Sequence, residues 1–137
     1  SNISACVVSN CITNFSVNTT TKSCVGNACS LANAQGNGIT SILNVATTSG
    51  IVPNCLVATC SPNYKPATDN KSCIAKLCTE LNASELSVLG INKNNGTISG
   101  TYPSCSLSCN ANFELAANGK SCLAVTYQAT FSAFSAC

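Results

Sequence analysis

The sequence predicts a small disulfide-rich fold, mainly β and irregular, with short helices in its connectors. Twelve of its 137 residues are cysteines, these cysteines recur with a fixed period, and the aromatic residues are limited to four Phe and three Tyr. So few large apolar side chains make too small a core to fold without covalent cross-links. A bridge that closes a loop of this size typically contributes ~2–4 kcal/mol.

The cysteines repeat every 49 residues, as Cys11, Cys60 and Cys109 show. Each of these three opens the pattern C-x-x-N-[FY]-x8-C, with Lys-Ser before its last cysteine. A fixed period is the signature of a repeat array. We therefore predict three tandem repeats of about 49 residues: 1–54 with its connector, 55–104 with its connector, and 105–137. The last is an atypical C-terminal cap with a long strand, since Tyr127 stands where the next cysteine is expected.

The shared pattern also predicts the local structure of each repeat. Its asparagines, at positions 14, 63 and 112, fall at a tight turn where Asn tolerates positive φ better than other residues with a side chain. The aromatic residue that follows supplies the one large apolar side chain of each repeat, expected to cover a disulfide; these are Phe15, Tyr64 and Phe113.

All twelve cysteines are expected in disulfides, and spacing leaves two connectivities open. Both close the shared hairpins as Cys11–Cys24, Cys60–Cys73 and Cys109–Cys122. The preferred scheme adds the local pairs Cys6–Cys29, Cys55–Cys78 and Cys105–Cys137. The rival scheme bridges the connectors as Cys29–Cys55 and Cys78–Cys105. It leaves Cys6 and Cys137 at opposite ends of the chain, where they would link neighbouring molecules head to tail.

Periodicity predicts strands near both ends and short helices between the repeats. Residues 3–7 and 125–133 alternate apolar with polar side chains, which is typical of strands with one buried face. In the second of these, the candidate assembly residues are Val125, Tyr127 and Phe131. Residues 39–46 and 81–89 have helical spacing, the latter with Thr79 as the predicted N-cap.

Six sequons mark candidate sites of N-glycosylation. They begin at Asn2, Asn14, Asn18, Asn70, Asn82 and Asn95. Covalent glycans are therefore expected, since a disulfide-rich chain of this kind matures in an oxidising, secretory compartment. The predicted location is extracellular or at the cell surface.

Composition excludes several classes of function. The chain has no His, so imidazole-based catalytic groups are excluded, and Glu80 and Glu85 are spaced to lie on different faces of a helix. No cysteine pair has the C-x2-C spacing of a zinc knuckle. A net charge of +2 makes no basic patch for nucleic acid. We expect no enzymatic activity, no metal, no cofactor and no nucleic-acid partner.

The unit C-x-x-N-[FY]-x8-C resembles the last disulfide loop of epidermal-growth-factor-like modules, and the tandem arrangement is similar to furin-like cysteine-rich repeats. Its tandem arrangement and bias toward Asn, Thr, Ser and Ala resemble cysteine-rich surface proteins of the ciliate immobilisation-antigen type. Those proteins are extracellular, usually held by a lipid anchor, and form a coat. The resemblance implies the same for this chain, whose C-terminal Phe134-Ser-Ala-Cys137 fits either the remnant of anchor attachment or a disulfide-tied end.

Two functions remain open at this point. The first is a structural coat or filament subunit that self-associates as a homo-oligomer or polymer, because low charge and exposed strands favour association. Its C-terminal strand would complete a neighbour's sheet by strand addition. The alternative is a monomeric cell-surface binding or adhesion module, with Tyr102 beside Pro103 as its candidate patch.

Overall fold

The computed structural model describes residues 8–125. The chain divides into two compact units, Ser1–Ile74 and Ala75–Cys137. Both are small, mainly β and irregular, as the sequence predicts, and each is described here by itself.

Short antiparallel hairpins make up most of the regular structure. Each contains two strands that are neighbours along the chain. The hairpins are β1 (Phe15–Asn18) with β2 (Ser23–Gly26), β3 (Val45–Ser49) with β4 (Leu56–Cys60), β5 (Tyr64–Pro66) with β6 (Cys73–Ala75), β7 (Gly96–Thr101) with β8 (Ser104–Cys109), and β9 (Phe113–Leu115) with β10 (Cys122–Ala124).

The helical regions differ from the two that periodicity predicts. A 3-10 turn spans Cys78–Glu80 and helix α1 spans Ala83–Val88. The N-cap of α1 is Asn82 rather than Thr79, and its side chain accepts a hydrogen bond from the Glu85 N–H. The predicted helix over 39–46 is wrong. Gly36 and Gly38, both at positive φ, turn the chain there, and β3 begins at position 45.

The asparagine turns form as predicted. Asn14, Asn63 and Asn112 have φ of 69°, 73° and 70°. In each case the following aromatic residue begins a strand, and its N–H donates back across the turn to a carbonyl three residues earlier. Asn is the residue other than Gly that most readily adopts this conformation, so these turns fix where each small hairpin starts.

Each unit has a small core of its own. In the first unit Phe15 and three half-buried cysteines pack against a cluster of Ala34, Ile39, Val45, Val52, Cys55 and Val57. In the second unit the cluster consists of Cys78, Leu81, Leu86 and Ile98, with Tyr102 packed against it. Each cluster contains one buried disulfide cysteine, Cys55 in the first unit and Cys78 in the second, so a cross-link is part of each core.

Five disulfides join ten cysteines of the described residues. They are Cys11–Cys24, Cys29–Cys55, Cys60–Cys73, Cys78–Cys105 and Cys109–Cys122. The three hairpin bridges are confirmed. The preferred outer pairs Cys6–Cys29, Cys55–Cys78 and Cys105–Cys137 are wrong, because Cys29, Cys55, Cys78 and Cys105 bridge the connectors instead.

The reason for the connector bridges lies in backbone pairing that spacing does not reveal. The N–H of Cys29 donates to the carbonyl of Gly50 at 3.0 Å, which draws the start of the connector against the end of β3. The Cα atoms of Cys29 and Cys55 are consequently 5.6 Å apart, within the normal disulfide range. Cys29 therefore pairs with Cys55, 26 residues away, rather than with Cys6.

Candidate assembly site

In both units the same backbone hydrogen bond, called the clamp below, fastens a connector to a lysine carbonyl. The small hairpins are β1–β2, β5–β6 and β9–β10, and the larger hairpins are β3–β4 and β7–β8. A connector is the segment between a small hairpin and the larger hairpin that follows it. In the first unit, the carbonyl of Lys71 accepts the N–H of Thr40 at 2.8 Å. In the second unit, the carbonyl of Lys120 accepts the N–H of Asn92, also at 2.8 Å. The two lysines are 49 residues apart, and each occupies the turn of a small hairpin. A connector is thus fastened to the turn of the small hairpin that follows it.

A second shared contact fastens the start of each connector to the larger hairpin. The N–H of Val52 donates to the carbonyl of Asn27 at 3.0 Å, and the N–H of Tyr102 donates to the carbonyl of Lys76 at 3.0 Å. The adjoining residues form isolated antiparallel bridges, Ala28 with Ile51 and Leu77 with Thr101. Each connector therefore leaves one small hairpin and enters the next larger one with the same pairing.

The disulfides divide the cysteines into two roles. Cys29 and Cys78 follow a small hairpin and lie at the start of a connector, so we call them donor cysteines. Cys55 directly precedes β4 and Cys105 is the second residue of β8, each the second strand of a larger hairpin, so we call them acceptor cysteines. Each donor pairs with the acceptor next along the chain, 26 or 27 residues away.

Residues 8–10 precede the first small hairpin in the same way that residues 57–59 precede the second. Val8 stands three residues before Cys11, as Val57 stands three before Cys60. Val57 is 5% exposed in the first unit's core, whereas Val8 is 38% exposed. Residues 8–10 form no strand ladder with any described residue. Among the described residues, Val8 therefore corresponds in sequence to the buried Val57 but is considerably more exposed.

A shallow cavity adjoins Val8 on this hairpin. It has a volume of about 180 Å³ and is lined by Val8, Val17, Thr19 and Lys22. Lys22 precedes Lys71 by 49 residues, so its carbonyl is the counterpart of the two clamp acceptors. Within residues 8–125, no backbone N–H donates to it.

At the C-terminal end of the described residues, the last small hairpin repeats a backbone hydrogen bond of the first one. The N–H of Val125 donates to the carbonyl of Asn112 at 3.0 Å, as the N–H of Asn27 donates to Asn14 at 2.9 Å. Val125 thus stands where Asn27 and Lys76 stand, at the point from which a connector departs. Its side chain is 38% exposed. The other predicted assembly residues, Tyr127 and Phe131, lie outside the described residues.

The sequon asparagines occupy different surroundings. Asn70, Asn82 and Asn95 are exposed, whereas Asn14 and Asn18 are half-buried, and Asn2 lies outside the described residues. The side-chain oxygen of Asn18 accepts the N–H groups of Thr20 and Thr21. Asn82 uses its side-chain oxygen as the cap of α1 and leaves its nitrogen for a glycan, so both roles are compatible.

Glu80 and Glu85, the two acids that could have formed a paired-carboxylate site, both make hydrogen bonds that stabilise the local structure. Glu85, 8% exposed, lies 3.0 Å from the Lys76 ammonium and also accepts the N–H of Asn82. Glu80 accepts the N–H of Leu77 at 2.7 Å. Between residues 8 and 125, no cluster of His, Cys, Asp or Glu is arranged to hold a metal ion.

No family model, curated protein or solved structure matches this chain. In the described part of the chain, no helix has the length and apolar character needed to cross a bilayer. Five disulfides are consistent with maturation in an oxidising environment such as the extracellular space. The candidate patch at Tyr102 is half-buried and packs against the second unit's core, so it offers little surface for a ligand.

Proposed function

We propose that this protein is an extracellular structural glycoprotein, a subunit of a surface coat or filament that self-associates through its modules. It consists of three tandem repeats of about 49 residues, the last an atypical cap, and has no catalytic role. The observation that carries the proposal is the recurrence of one docking scheme. In both units a connector is fastened to the larger hairpin by a disulfide and a backbone bridge, and to the small hairpin that follows by a clamp at a lysine carbonyl.

This scheme supports assembly because the interfaces between successive elements are nearly identical. Repeated contacts of this kind between neighbouring elements of one chain can also form between elements of two copies. A head-to-tail contact does not close on itself unless the rotation between copies permits it, so it generates open filaments. A coat of the kind formed by ciliate immobilisation antigens, with a lipid anchor, is the proposed setting.

The surface chemistry supports the same proposal. Charged residues make up 7% of the chain, and the net charge is +2, so electrostatic repulsion opposes association only weakly. Exposed apolar side chains on both units include Ile12, Leu43 and Val88, at 75%, 71% and 82% exposure. Glycans on Asn70, Asn82 and Asn95 would keep the surface around them solvated.

The test is the assembly state of the full chain secreted from a eukaryotic host. Sedimentation velocity over a range of concentrations, with negative-stain electron microscopy, should show oligomers or filaments that grow with concentration. A monomer at all concentrations, with or without glycans, would contradict the proposal. That result would favour the alternative, a monomeric binding or adhesion module.

A further inference from the structure

We propose that the second unit binds its own N-linked glycan, with the first N-acetylglucosamine of a glycan on Asn82 lying in the groove between α1 and residues 90–94. This inference rests on the proposed function, which includes glycosylation, and gives one glycan a fixed place on the protein. The groove has a volume of about 630 Å³. Sites for small molecules typically measure about 300–1,000 Å³, so the groove is large enough for a sugar. It is called the glycan groove below.

Backbone hydrogen bonds fix the walls of the glycan groove. Just after α1, Gly90 has a φ of 75° and turns the chain. The N–H of Ile91 then donates to the carbonyl of Leu86 at 3.0 Å, and the N–H of Asn92 makes the clamp to Lys120. Because these bonds belong to the fold itself, a ligand does not have to order the groove when it binds.

The lining of the groove matches an N-acetylated sugar. Its floor is apolar, since Leu81 and Leu86 are 3% and 4% exposed and Ile91 is half-buried. N-acetylglucosamine would place its methyl group and ring C–H groups on this floor and its amide and hydroxyls at the rim, where polar groups find hydrogen-bond partners. The rim is formed by the exposed polar side chains of Ser87, Asn92, Lys93 and Asn94.

The side chain of Asn82, which lines the groove, is held in one orientation. Its Oδ1 accepts the N–H of Glu85 at 2.8 Å, while its backbone N–H donates to the Glu85 carboxylate at 3.1 Å. Its Nδ2 donates no hydrogen bond to any residue between 8 and 125. A glycan attached to Nδ2 therefore leaves the protein in one direction, beside the groove. A fixed attachment reduces the entropy that the sugar loses when it packs against the protein.

The other exposed sequon asparagines do not combine a groove with a fixed amide. Asn95 adjoins a separate cavity of about 460 Å³, but no hydrogen bond to a described residue orients its side chain. Asn70 is exposed, and its side chain likewise makes no hydrogen bond to the described part of the chain. Glycans at these positions would sample many directions, so Asn70 is the comparison for Asn82.

The glycan is attached by an ordinary group transfer from a lipid-pyrophosphate-linked oligosaccharide of the secretory pathway. A bond forms between Nδ2 of Asn82 and C1 of the first sugar, and the bond from C1 to the pyrophosphate oxygen breaks. The lipid pyrophosphate leaves with the electron pair of that bond, and Nδ2 releases one proton. Nothing is oxidised or reduced. Oδ1 is unchanged by the transfer, so it continues to cap α1.

The test measures amide hydrogen exchange in the full chain secreted from a eukaryotic host. Wild type is compared with Ser84→Ala, which removes the sequon of Asn82 and keeps the helix cap. We expect exchange in α1 and residues 90–94 to be about tenfold slower in wild type, because a sugar bound to the folded state opposes local opening. Trimming of the glycans to a single N-acetylglucosamine with an endoglycosidase should preserve this difference. Ser72→Ala, which removes the sequon of Asn70, should leave exchange in its own hairpin unchanged.

A pair of variants on α1 tests whether the protection depends on the groove. Ser87→Leu places a larger side chain over the apolar floor and should exclude the sugar. Val88→Leu is the matched control, since Val88 is 82% exposed and is not part of the lining. Each variant is compared with its own double variant carrying Ser84→Ala. The glycan should still slow exchange about tenfold in Val88→Leu but about twofold or less in Ser87→Leu. An equal effect of the glycan in both variants would overturn the inference.

Dilution and assembly state distinguish the remaining outcomes. Protection should not change on dilution, because the glycan and the groove belong to one chain. Protection that falls on dilution would mean that the glycan of another copy occupies the groove, and it would overturn the inference. So would equal exchange in wild type and Ser84→Ala, or secreted protein without a glycan on Asn82, and filaments formed by that protein would leave the structural function standing. A monomeric wild type with a protected α1 would contradict self-association and support the inference.

Discussion

The carbonyl oxygen of Lys71 accepts two hydrogen bonds from Thr40, one from its backbone N–H at 2.8 Å and one from its hydroxyl at 3.0 Å. These residues are 31 positions apart, so the bonds tie a connector to the turn of a small hairpin. Asn92 and Lys120 repeat the backbone bond in the second unit. The hydroxyl bond strengthens the clamp in the first unit.

Removal of that hydroxyl should weaken the clamp without breaking it. We expect Thr40→Val to destabilise the first unit by roughly 1 kcal/mol, the usual net value of one hydrogen bond. Thr40→Ser keeps the hydroxyl and should stay close to wild type. Urea unfolding followed by circular dichroism measures both. A loss in Thr40→Ser with none in Thr40→Val would show that the methyl group of Thr40, rather than its hydroxyl, matters.

Gly26 is required for close packing rather than for its backbone angle. A Cβ atom at this position would lie 1.8 Å from the carbonyl oxygen of Val52, so Gly26→Ala must displace backbone. We expect a loss of roughly 1–3 kcal/mol. Gly36→Ala is the matched control, since its φ of 82° is strained for alanine but nothing lies within 4 Å of the added Cβ. It should cost about 1 kcal/mol. A smaller loss for Gly26→Ala than for the control would contradict the packing explanation.

The ion pair between Lys76 and Glu85 should matter more than a surface pair. Glu85 is nearly buried, so Lys76→Met leaves its carboxylate without its charged partner. We expect roughly 1–3 kcal/mol of destabilisation, seen as faster amide hydrogen exchange in α1. Glu85→Gln combined with Lys76→Met removes the charge and should restore part of the protection. Exchange rates in α1 that do not change in Lys76→Met would contradict a stabilising role for the pair.

The connector bridges predict a specific peptide map. Digestion without reduction should release peptides joined through Cys29–Cys55 and through Cys78–Cys105, identified by mass before and after reduction. Replacement of both Cys29 and Cys55 by serine should destabilise the first unit by about 3–4 kcal/mol, the cost expected for opening a loop of this length. Recovery of a Cys55–Cys78 peptide from native protein would contradict the connectivity.

Glycosylation and helix capping should be separable at Asn82. In a eukaryotic host, Asn82→Gln and Ser84→Ala both destroy the same sequon and should each remove one glycan mass. Asn82→Gln also removes the cap of α1, so it should be less stable by about 1 kcal/mol than Ser84→Ala. Identical stabilities of the two deglycosylated variants would show that the cap contributes nothing measurable.

Local patterns in the sequence were sufficient to predict local structure. The positive φ at Asn14 follows from its place in a cysteine-closed turn, and the bridge Cys11–Cys24 follows from the shared pattern around it. The mainly β character follows from short alternating runs and few core side chains. Such features depend on residues within about fifteen positions of one another.

Features that depend on distant backbone pairing could not be predicted. Cys29 pairs with Cys55, 26 residues away, whereas the preferred scheme paired it with Cys6, 23 residues away, so spacing alone could not decide between the two partners. Helical spacing predicted a helix over residues 39–46, but Ile39 is buried whereas Ile42 and Leu43 are 37% and 71% exposed, so these side chains do not share one buried face.

The five disulfides enclose successive, non-overlapping loops, which has a mechanical consequence. The loops 11–24, 29–55, 60–73, 78–105 and 109–122 are connected by tethers of only three or four residues. A protease that cuts inside a loop leaves both fragments covalently attached. Tension along the chain passes through sulfur at each loop, so the enclosed residues bear little load. Within residues 11–122, the tethers are the segments that can lengthen under tension and at which a single cut separates the chain into two pieces. β4 and β8 hold two of these tethers in hydrogen-bonded ladders.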